Sequence, residues 1–384
     1  MRLQLSMSAI TVDGDLVHYE VLGRGGRPVI LLHGWIGSWR YWIPTMRLLQ
    51  LKFRVYALDL FGYGDSSKNT AKYNMASQMR LLDQFMKQLG MPKAAILAHG
   101  YGAQVALNFA AQYPERVARL MLISAPIFDP GDLAVRVPPE PAKPAETQDD
   151  TTTAEKTIAS AASRSPYPAN DPGDDEADKT LPSSLRETIR NPNAIDRAAL
   201  RRAAAYLAEQ RRIEENKPSV RAAAPVEPDI LPATAPVNGE KDAHNPLESI
   251  LANDMEGLLG RCFRKSETEY DKLYQDIAKC DNRVLRYLSR DFSAGRTLDA
   301  IRLLPMPTVV VHGADDPLIP LPDEAIWDYV TQSKEDQLVP IPLVGVRHFP
   351  MLEHETFQRL VGMFLETADI SKIELKERWR RRSR

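Results

Sequence analysis

The sequence LAHGYGA at residues 97–103 decides the fold of this chain. An apolar run that predicts a buried strand ends at Ala98, and a helical pattern starts near Gly102. Because both positions carry small residues, a tight strand-to-helix turn can close between them. Such a turn lifts its central residue above the edge of a sheet. The central residue is Gly100, which has no side chain to present.

Alternating strand and helix patterns surround this turn. They begin with a hairpin pattern around Asp13-Gly14, continue to Ile127, and resume near Pro305. The predicted buried strands are Val29–Leu32, Val55–Leu58, Ala94–Ala98, Leu120–Ile123, Pro307–His312 and Gln337–Ile341. The predicted helices are Trp39–Gln50, Met75–Leu89, Ala103–Gln112 and Glu353–Glu366. Runs this apolar are typical of strands covered on both faces, so the sequence predicts an α/β fold with a mostly parallel sheet.

Residues able to do chemistry follow three of these strands. The pair His33-Gly34 comes after an early strand, Asp316 after a late one, and His348 after the last. An acid after one strand and a histidine after the next is the arrangement that fixes the tautomer and orientation of an imidazole. Alone, each is more often an ordinary loop residue. In the order turn, acid, histidine, they predict a hydrolytic site.

Five motifs carry a family resemblance. They are LLHGW at 31–35, DLFGYGDS at 59–66, AHGYGA at 98–103, HGADDPLIP at 312–320 and RHFPMLEH at 347–354. Together they make the chain resemble the α/β-hydrolase-fold superfamily, in the group of esterases, C–C-bond hydrolases, haloperoxidase-like and epoxide-hydrolase-like proteins. The resemblance implies that Asp316 is the acid of a catalytic triad and His348 its base. It also implies that the backbone N–H groups of Trp35 and Tyr101 form an oxyanion hole.

The chain departs from this family at the nucleophile. Family members carry Ser, Asp or Cys where this sequence has Gly100. A glycine cannot attack a carbonyl carbon or hold an acyl group, so ordinary serine hydrolysis is unavailable. The tight turn aims only its central residue at the pocket, so the side chains of His99 and Tyr101 are expected to diverge from it.

Two interpretations of this glycine stay open. In the first, a dyad of Asp316 and His348 activates a water or removes a proton from a small apolar carbonyl or ester substrate, without a covalent intermediate. In the second, the chain is an inactive hydrolase relative that binds a ligand or a partner, and Gly100 relieves the backbone strain of the turn. Retention of the acid–base pair favours the first.

Composition excludes several other classes. The hydrophobic fraction of 43% allows a substantial core, and a net charge of −2 argues against nucleic acid as a partner. Residues 99–102 match neither a nucleotide-binding loop nor a dinucleotide fingerprint, and no cofactor or metal is expected.

The glycine-rich run 59–66 is interpreted as scaffold, with Asp59 and Ser66 as hydrogen-bonded loop residues. Cys262 and Cys280 are interpreted as buried structural thiols in a reducing compartment.

The chain divides into five regions. Residues 1–127 and 305–370 are the two parts of the predicted core. Residues 128–182, rich in proline and polar residues, are predicted to be disordered. Residues 183–304 form a predicted helical cap with a disordered linker near 217–245. Within this cap, Ser184–Glu215 is predicted to be a charged helix. Pro246–Asp291 is predicted to be a pair of helices that covers the site. Residues 371–384 form a basic tail.

The chain lacks the signals of a secreted or membrane-spanning protein, so a cytoplasmic location is expected. Its basic tail allows weak contact with a membrane surface, although a solvated tail is the simpler interpretation because no long apolar face accompanies it. The expected partner is a small, mainly apolar molecule. The sequence does not specify an oligomeric state.

Overall fold

The computed structural model of this protein describes residues 8–137, 245–290, 292–332, 334, 336–353 and 355–373. At its centre is an eight-stranded sheet in the order β1-β2-β4-β3-β5-β6-β7-β8. The strands are β1 Ser8–Val12, β2 Asp15–Leu22, β3 Arg27–Leu32, β4 Phe53–Leu58, β5 Ala94–His99, β6 Val117–Ile123, β7 Thr308–Gly313 and β8 Leu338–Leu343.

The sheet is antiparallel at one edge and parallel elsewhere. Strands β1 and β2 form a hairpin, and β2 also runs antiparallel to β4. Asp13 and Gly14 at the hairpin turn have φ angles of 50° and 86°, the left-handed conformation that a tight hairpin needs. The other pairs, from β4 through β3 to β8, are parallel. The predicted hairpin and mostly parallel sheet are confirmed.

Helices cover both faces of the sheet, which explains why its central strands are apolar throughout. Every residue of β5 and β7 is buried. The core helices are α1 Ile43–Leu49, α2 Met75–Gln88, α3 Gly100–Gln112, α9 Glu324–Thr331, α10 Pro350–Glu353 and α11 Glu355–Glu366. The cap helices are α4 Pro246–Ile250, α5 Met255–Cys262, α6 Thr268–Ile277, α7 Arg283–Arg290 and α8 Ala294–Leu303.

The cap contains more helices than the sequence predicts. The prediction of one helix pair over Pro246–Asp291 is wrong, because helix-starting residues divide this stretch. Asp254 accepts a hydrogen bond from the backbone N–H of Gly257, and Asp281 accepts one from that of Arg283. Each side chain satisfies an N–H that the first turn leaves free, so a new helix starts after it.

The first residues predicted to be disordered are packed instead. Phe128 contacts Phe292 edge to face, with ring centroids 5.7 Å apart. The Arg136 guanidinium binds both carboxylate oxygens of Asp299 on α8, at 3.0 and 2.6 Å. The prediction of disorder is therefore wrong for residues 128–137, because an aromatic contact and a bidentate ion pair hold this segment to the cap.

Several predictions fall outside the described residues. These are the disorder over residues 138–182, the Ser184–Glu215 helix, most of the linker near 217–245, and the basic residues 374–384. Within the described part of the chain, none of the helices combines the length and apolarity that a membrane crossing requires.

Candidate active site

The turn at residues 97–103 brings β5 directly into α3. Strand β5 ends at His99, and α3 begins at Gly100 with a φ angle of +51°, a conformation that favours glycine. A Cβ atom on Gly100 would lie 3.0 Å from Cε3 and Cζ3 of the Trp35 indole and 3.3 Å from Gly34 Cα. Any side chain at this position must therefore displace its neighbours by a few tenths of an ångström.

The loop of residues 33–35 packs against the start of α3. The backbone N–H of Gly102 donates to the carbonyl of His33 at 3.0 Å, and a Cβ atom on Gly102 would lie 2.5 Å from that oxygen. Only glycine permits so close an approach. The structure thus brings Trp35 close to Gly100, which Tyr101 follows in the chain, and the role of Trp35 and Tyr101 as oxyanion donors stays a prediction.

Asp316 and His348 form a buried pair. Nδ1 of His348 lies 2.8 Å from Oδ2 of Asp316, and both side chains are fully buried. The other carboxylate oxygen of Asp316 accepts the backbone N–H groups of Leu318 and Ile319, at 2.8 and 3.1 Å. Because the carboxylate accepts at Nδ1, the neutral imidazole carries its proton there and Nε2 becomes the acceptor.

The environment keeps Asp316 ionised. Burial raises the pKa of this carboxyl, but the charge and hydrogen bond of His348 and the two backbone donors outweigh burial and lower the pKa below its ordinary value. Nε2 of His348 is also buried and has no hydrogen-bond partner among the described residues. An orphaned buried acceptor is uncommon in folded proteins and marks a place where a ligand or water can bind.

Aromatic side chains surround His348. The Trp35 indole stacks on the imidazole, with ring centroids 6.0 Å apart and an interplanar angle of 21°. Phe349 contacts the same imidazole edge to face at 5.1 Å. Trp35 is fully buried, and its Nε1 has no hydrogen-bond partner among the described residues. The His348 imidazole therefore packs against aromatic rings, and its Nε2 is a buried acceptor without a partner among the described residues.

The cap contacts the loop that carries His348. Phe263, which follows α5, packs on Phe349 with ring centroids 5.4 Å apart. The Arg347 guanidinium lies over the Phe263 ring at 4.7 Å and pairs with Glu267 of the cap at 3.1 Å. It also pairs with Glu353 of the core at 3.0 Å. These contacts place the cap beside the predicted base, as expected for a lid.

Two residues of the site, Tyr41 and His99, are absent from the sequence prediction. The expectation that the His99 side chain diverges from the site is wrong, since its ring centroid lies 4.6 Å from that of His348. Nε2 of His99 lies 2.8 Å from the carbonyl oxygen of His348, and Nδ1 lies 2.9 Å from the Tyr41 hydroxyl. The position of His99 beside Gly100 was a usable signal. Tyr41 has no such signal, because it reaches His99 across 58 residues of chain.

A second imidazole–carboxylate pair lies in the scaffold. Nδ1 of His18 on β2 is 2.8 Å from Oδ2 of Asp59, and the Ser66 hydroxyl donates to the carbonyl of Asp59 at 2.6 Å. The Asp59 carboxylate also accepts the backbone N–H groups of Trp39 and Asp65, each at 3.0 Å. Asp59 and Ser66 are thus hydrogen-bonded loop residues, as the sequence predicts, whereas the partner His18 was missed.

Among the described residues, His18, Asp59 and Asp65 are the group whose potential metal-ligand atoms lie close together, within 4.8 Å of one another. These atoms already form hydrogen bonds and an ion pair within the protein. Oδ2 of Asp59 accepts two hydrogen bonds, and the Asp65 carboxylate pairs with Lys279 at 2.8 Å. This donor set fits a metal ion poorly, because binding would break these bonds and bring the ion close to an ammonium group.

Both cysteines are unpaired. Cys262 is buried and Cys280 is half-buried, so the prediction of two buried thiols holds fully for the first. Burial raises the pKa of Cys262 well above its ordinary value and that of Cys280 to about 12. Both groups are therefore thiols near neutral pH, and neither is an activated nucleophile.

Comparison with known proteins places this geometry in a family. A family model described as alpha/beta hydrolase fold matches residues 27–354. A soluble epoxide hydrolase from Corynebacterium sp. (strain C12) is 31% identical over 123 residues, which cover 32% of this chain and 43% of that protein. Bifunctional epoxide hydrolase 2 from Mus musculus is 36% identical over 133 residues, covering 33% of this chain and 23% of that protein. This chain thus spans less than half the length of these curated relatives.

Solved structures agree on the fold. An enol-lactonase from Burkholderia xenovorans LB400 superposes with a TM-score of 0.55 at 13% identity, covering 94% of this chain and 100% of that one. At this identity the likeness shows the architecture alone.

Proposed function

Because this chain belongs to the alpha/beta hydrolase fold family, we propose that it hydrolyses or deprotonates a small apolar carbonyl compound without a covalent intermediate. The observation that carries this proposal is His348, whose Nδ1 is held by Asp316 at 2.8 Å while its Nε2 is buried without a partner among the described residues. An imidazole fixed on one side and free on the other is the geometry of a general base.

The proposed reaction of an ester proceeds through one attack by water. Nε2 of His348 takes a proton from the water as its oxygen bonds to the carbonyl carbon. The backbone N–H groups of Trp35 and Tyr101 donate to the resulting oxyanion. When the carbon–oxygen bond to the leaving group breaks, the imidazolium returns the proton to that alkoxide. One water is added across the ester bond, and the protein is unchanged.

The apolar walls support the substrate class. The apolar rings that touch the imidazole or its loop include those of Trp35, Phe349 and Phe263. A charged substrate would lose its hydration among these rings without a compensating ion pair, whereas an apolar ester or ketone would not.

A second candidate function is ligand binding without turnover. It is favoured by the +51° φ angle of Gly100 and by the indole that lies 3.0 Å from the position of a Cβ atom. Glycine relieves about 1–3 kcal/mol of strain that a side-chain-bearing residue would store in this turn. A chain selected only for stability and binding would gain from this change.

Restoring the missing nucleophile distinguishes the two functions. We expect Gly100→Ser to react with a fluorophosphonate probe and to form an acyl adduct with p-nitrophenyl acetate, seen by intact-protein mass spectrometry. Gly100→Ala is the matched control, because it adds the same Cβ strain without a hydroxyl. If Gly100→Ser is labelled and Gly100→Ala is not, the result supports an intact base and an intact oxyanion site. A folded serine variant that stays unlabelled supports the binding function instead.

A further inference from the structure

Three buried hydrogen bonds connect the loop of Gly34 to the loop of His348. The backbone N–H of Gly34 donates to the Tyr41 hydroxyl at 2.6 Å. The Tyr41 oxygen lies 2.9 Å from Nδ1 of His99, and Nε2 of His99 lies 2.8 Å from the carbonyl oxygen of His348. The chain of bonds therefore spans the two loops that carry the proposed oxyanion donor and the proposed base.

The two ends of this series, together with a neutral His99, fix the position of every proton in it. The Gly34 amide can only donate, and the His348 carbonyl can only accept. The Tyr41 oxygen therefore accepts from Gly34, and its single proton is free for Nδ1 of His99. Nε2 of His99 must then carry the other proton. Of the two neutral tautomers of His99, only the one with its proton on Nε2 satisfies all three bonds. An imidazolium would satisfy them too, with Nδ1 donating to the Tyr41 oxygen, so the charge of the ring decides between these two states.

Close packing holds the series in place. His99 is fully buried, and the Tyr41 ring meets it edge to face with centroids 5.6 Å apart. A Cβ atom on Gly34 would lie 2.8 Å from Nδ1 of His99, so a glycine is needed for this approach. Burial, and then the neighbouring His348, lower the pKa of His99 well below its ordinary value, which keeps the ring neutral.

We propose that Tyr41 and His99 are positioning residues that hold the loop of Trp35 and the loop of His348 at one fixed separation. They do not touch the substrate; they act through the Gly34 amide and the His348 carbonyl. Ser124 adds a second donor to the same carbonyl at 3.2 Å. The catalytic consequence rests on the proposed function, whereas the hydrogen-bond arrangement itself does not.

The first test reads the tautomer directly. We expect ¹⁵N-histidine NMR of the full chain at pH 7 to show His99 as the Nε2–H tautomer. Tyr41→Phe should shift the ring signals of both His99 and His348, because the Gly34 amide and Nδ1 of His99 each lose a partner. Tyr73→Phe is the control, since it removes a buried hydroxyl bound to Asp281 at 2.9 Å, outside this series. A protonated or Nδ1–H His99, or unchanged signals in Tyr41→Phe, would overturn the proposal.

The second test uses the Gly100→Ser background. There we expect Tyr41→Phe and His99→Leu to slow fluorophosphonate labelling by about tenfold or more, the loss typical of misplaced catalytic groups. His99→Gln should label faster than His99→Leu, because an amide can accept from Tyr41 and donate to His348. Equal rates in all folded variants would contradict a positioning role. If Gly100→Ser is itself unlabelled, the proposed function fails, and the NMR result alone decides this inference.

Discussion

The two imidazole–carboxylate pairs of this protein are nearly alike on their acidic side. In each pair, Nδ1 lies 2.8 Å from a carboxylate oxygen: His348 with Asp316, and His18 with Asp59. Each carboxylate also accepts two backbone N–H groups. Distance and burial therefore do not separate the proposed catalytic pair from the pair in the scaffold.

The two pairs differ in the groups that surround Nε2 of each histidine. Nε2 of His18 faces the Glu20 carboxylate at 3.6 Å, so this imidazole lies between two acids. Its backbone N–H also bonds the Ser66 hydroxyl at 2.9 Å, which ties β2 to the loop after β4. The His348 imidazole instead packs among aromatic rings, and its centroid lies 4.6 Å from that of His99, the residue before Gly100. The surroundings of Nε2, on the side of the imidazole away from the acid, therefore distinguish the proposed base from the scaffold histidine.

The largest expected effect separates the two histidines by activity. In the Gly100→Ser background, we expect His348→Gln to reduce the rate of fluorophosphonate labelling by about 10²- to 10⁴-fold, the usual contribution of a general base. His18→Gln, the matched control, should leave that rate within about a factor of three, because His18 lies away from the turn. Similar losses in both variants would contradict the assignment of His348, and not His18, as the base.

The next effect separates the two acids by stability. We expect Asp59→Asn to lower the free energy of unfolding by about 2–3 kcal/mol and Asp316→Asn by about 1 kcal/mol or less. In Asp59 each carboxylate oxygen accepts a backbone N–H group. In the Asn variant, the NH₂ group therefore faces one of these N–H donors in either orientation of the amide. In Asp316 one oxygen accepts both backbone N–H groups, so an amide can turn its NH₂ toward Nδ1 of His348, provided that the imidazole moves its proton to Nε2. Urea unfolding measures both values, and equal losses would contradict this reasoning.

A smaller effect concerns pH and His18. Burial lowers the pKa of His18, but the hydrogen bond and charge of Asp59 outweigh burial, so the pKa is raised above 6.5. A raised pKa in the folded state adds stability at low pH and loses it as the pH rises through the folded value. Buried His33, His99 and His312 have lowered pKa values and contribute the opposite slope to both proteins. We therefore expect the urea midpoint of the wild type minus that of His18→Gln to fall as the pH increases above 6.5. A slope of the opposite sign would refute the assignment.

The smallest effect concerns Glu20. Its charge is the weakest of the influences that raise the pKa of His18. Glu20→Gln should therefore move the pH-dependent loss of stability to slightly lower pH and change the urea midpoint at pH 7 little. His¹⁵N NMR titration checks the direction. A rise in the His18 pKa in this variant would show that Glu20 does not stabilise the protonated ring.

Sequence patterns predicted the parts of the fold that local rules control. The Asp13-Gly14 turn and the apolar parallel strands follow from residue preferences within short windows. The approach of Asp316 to His348 also follows, because each comes directly after a neighbouring strand, β7 or β8.

Contacts between distant segments were not predictable in this way. His18 meets Asp59 across 41 residues, and Tyr41 meets His99 across 58, with no periodicity linking them. The stacking of Trp35 on His348 depends on the loop after β3 and on the absence of a side chain at Gly100. Such contacts follow from the packed fold, which single-sequence patterns do not contain.

The most direct test of the central claim measures hydrolysis of p-nitrophenyl acetate by the chain with its native Gly100. We expect a slow, steady rate without an acyl adduct in the intact mass, and a reduction of about 10²-fold in His348→Gln. His18→Gln should keep the wild-type rate. Equal rates in the wild type and in a folded His348→Gln variant would show that this imidazole is not the base, and the proposed chemistry would be wrong.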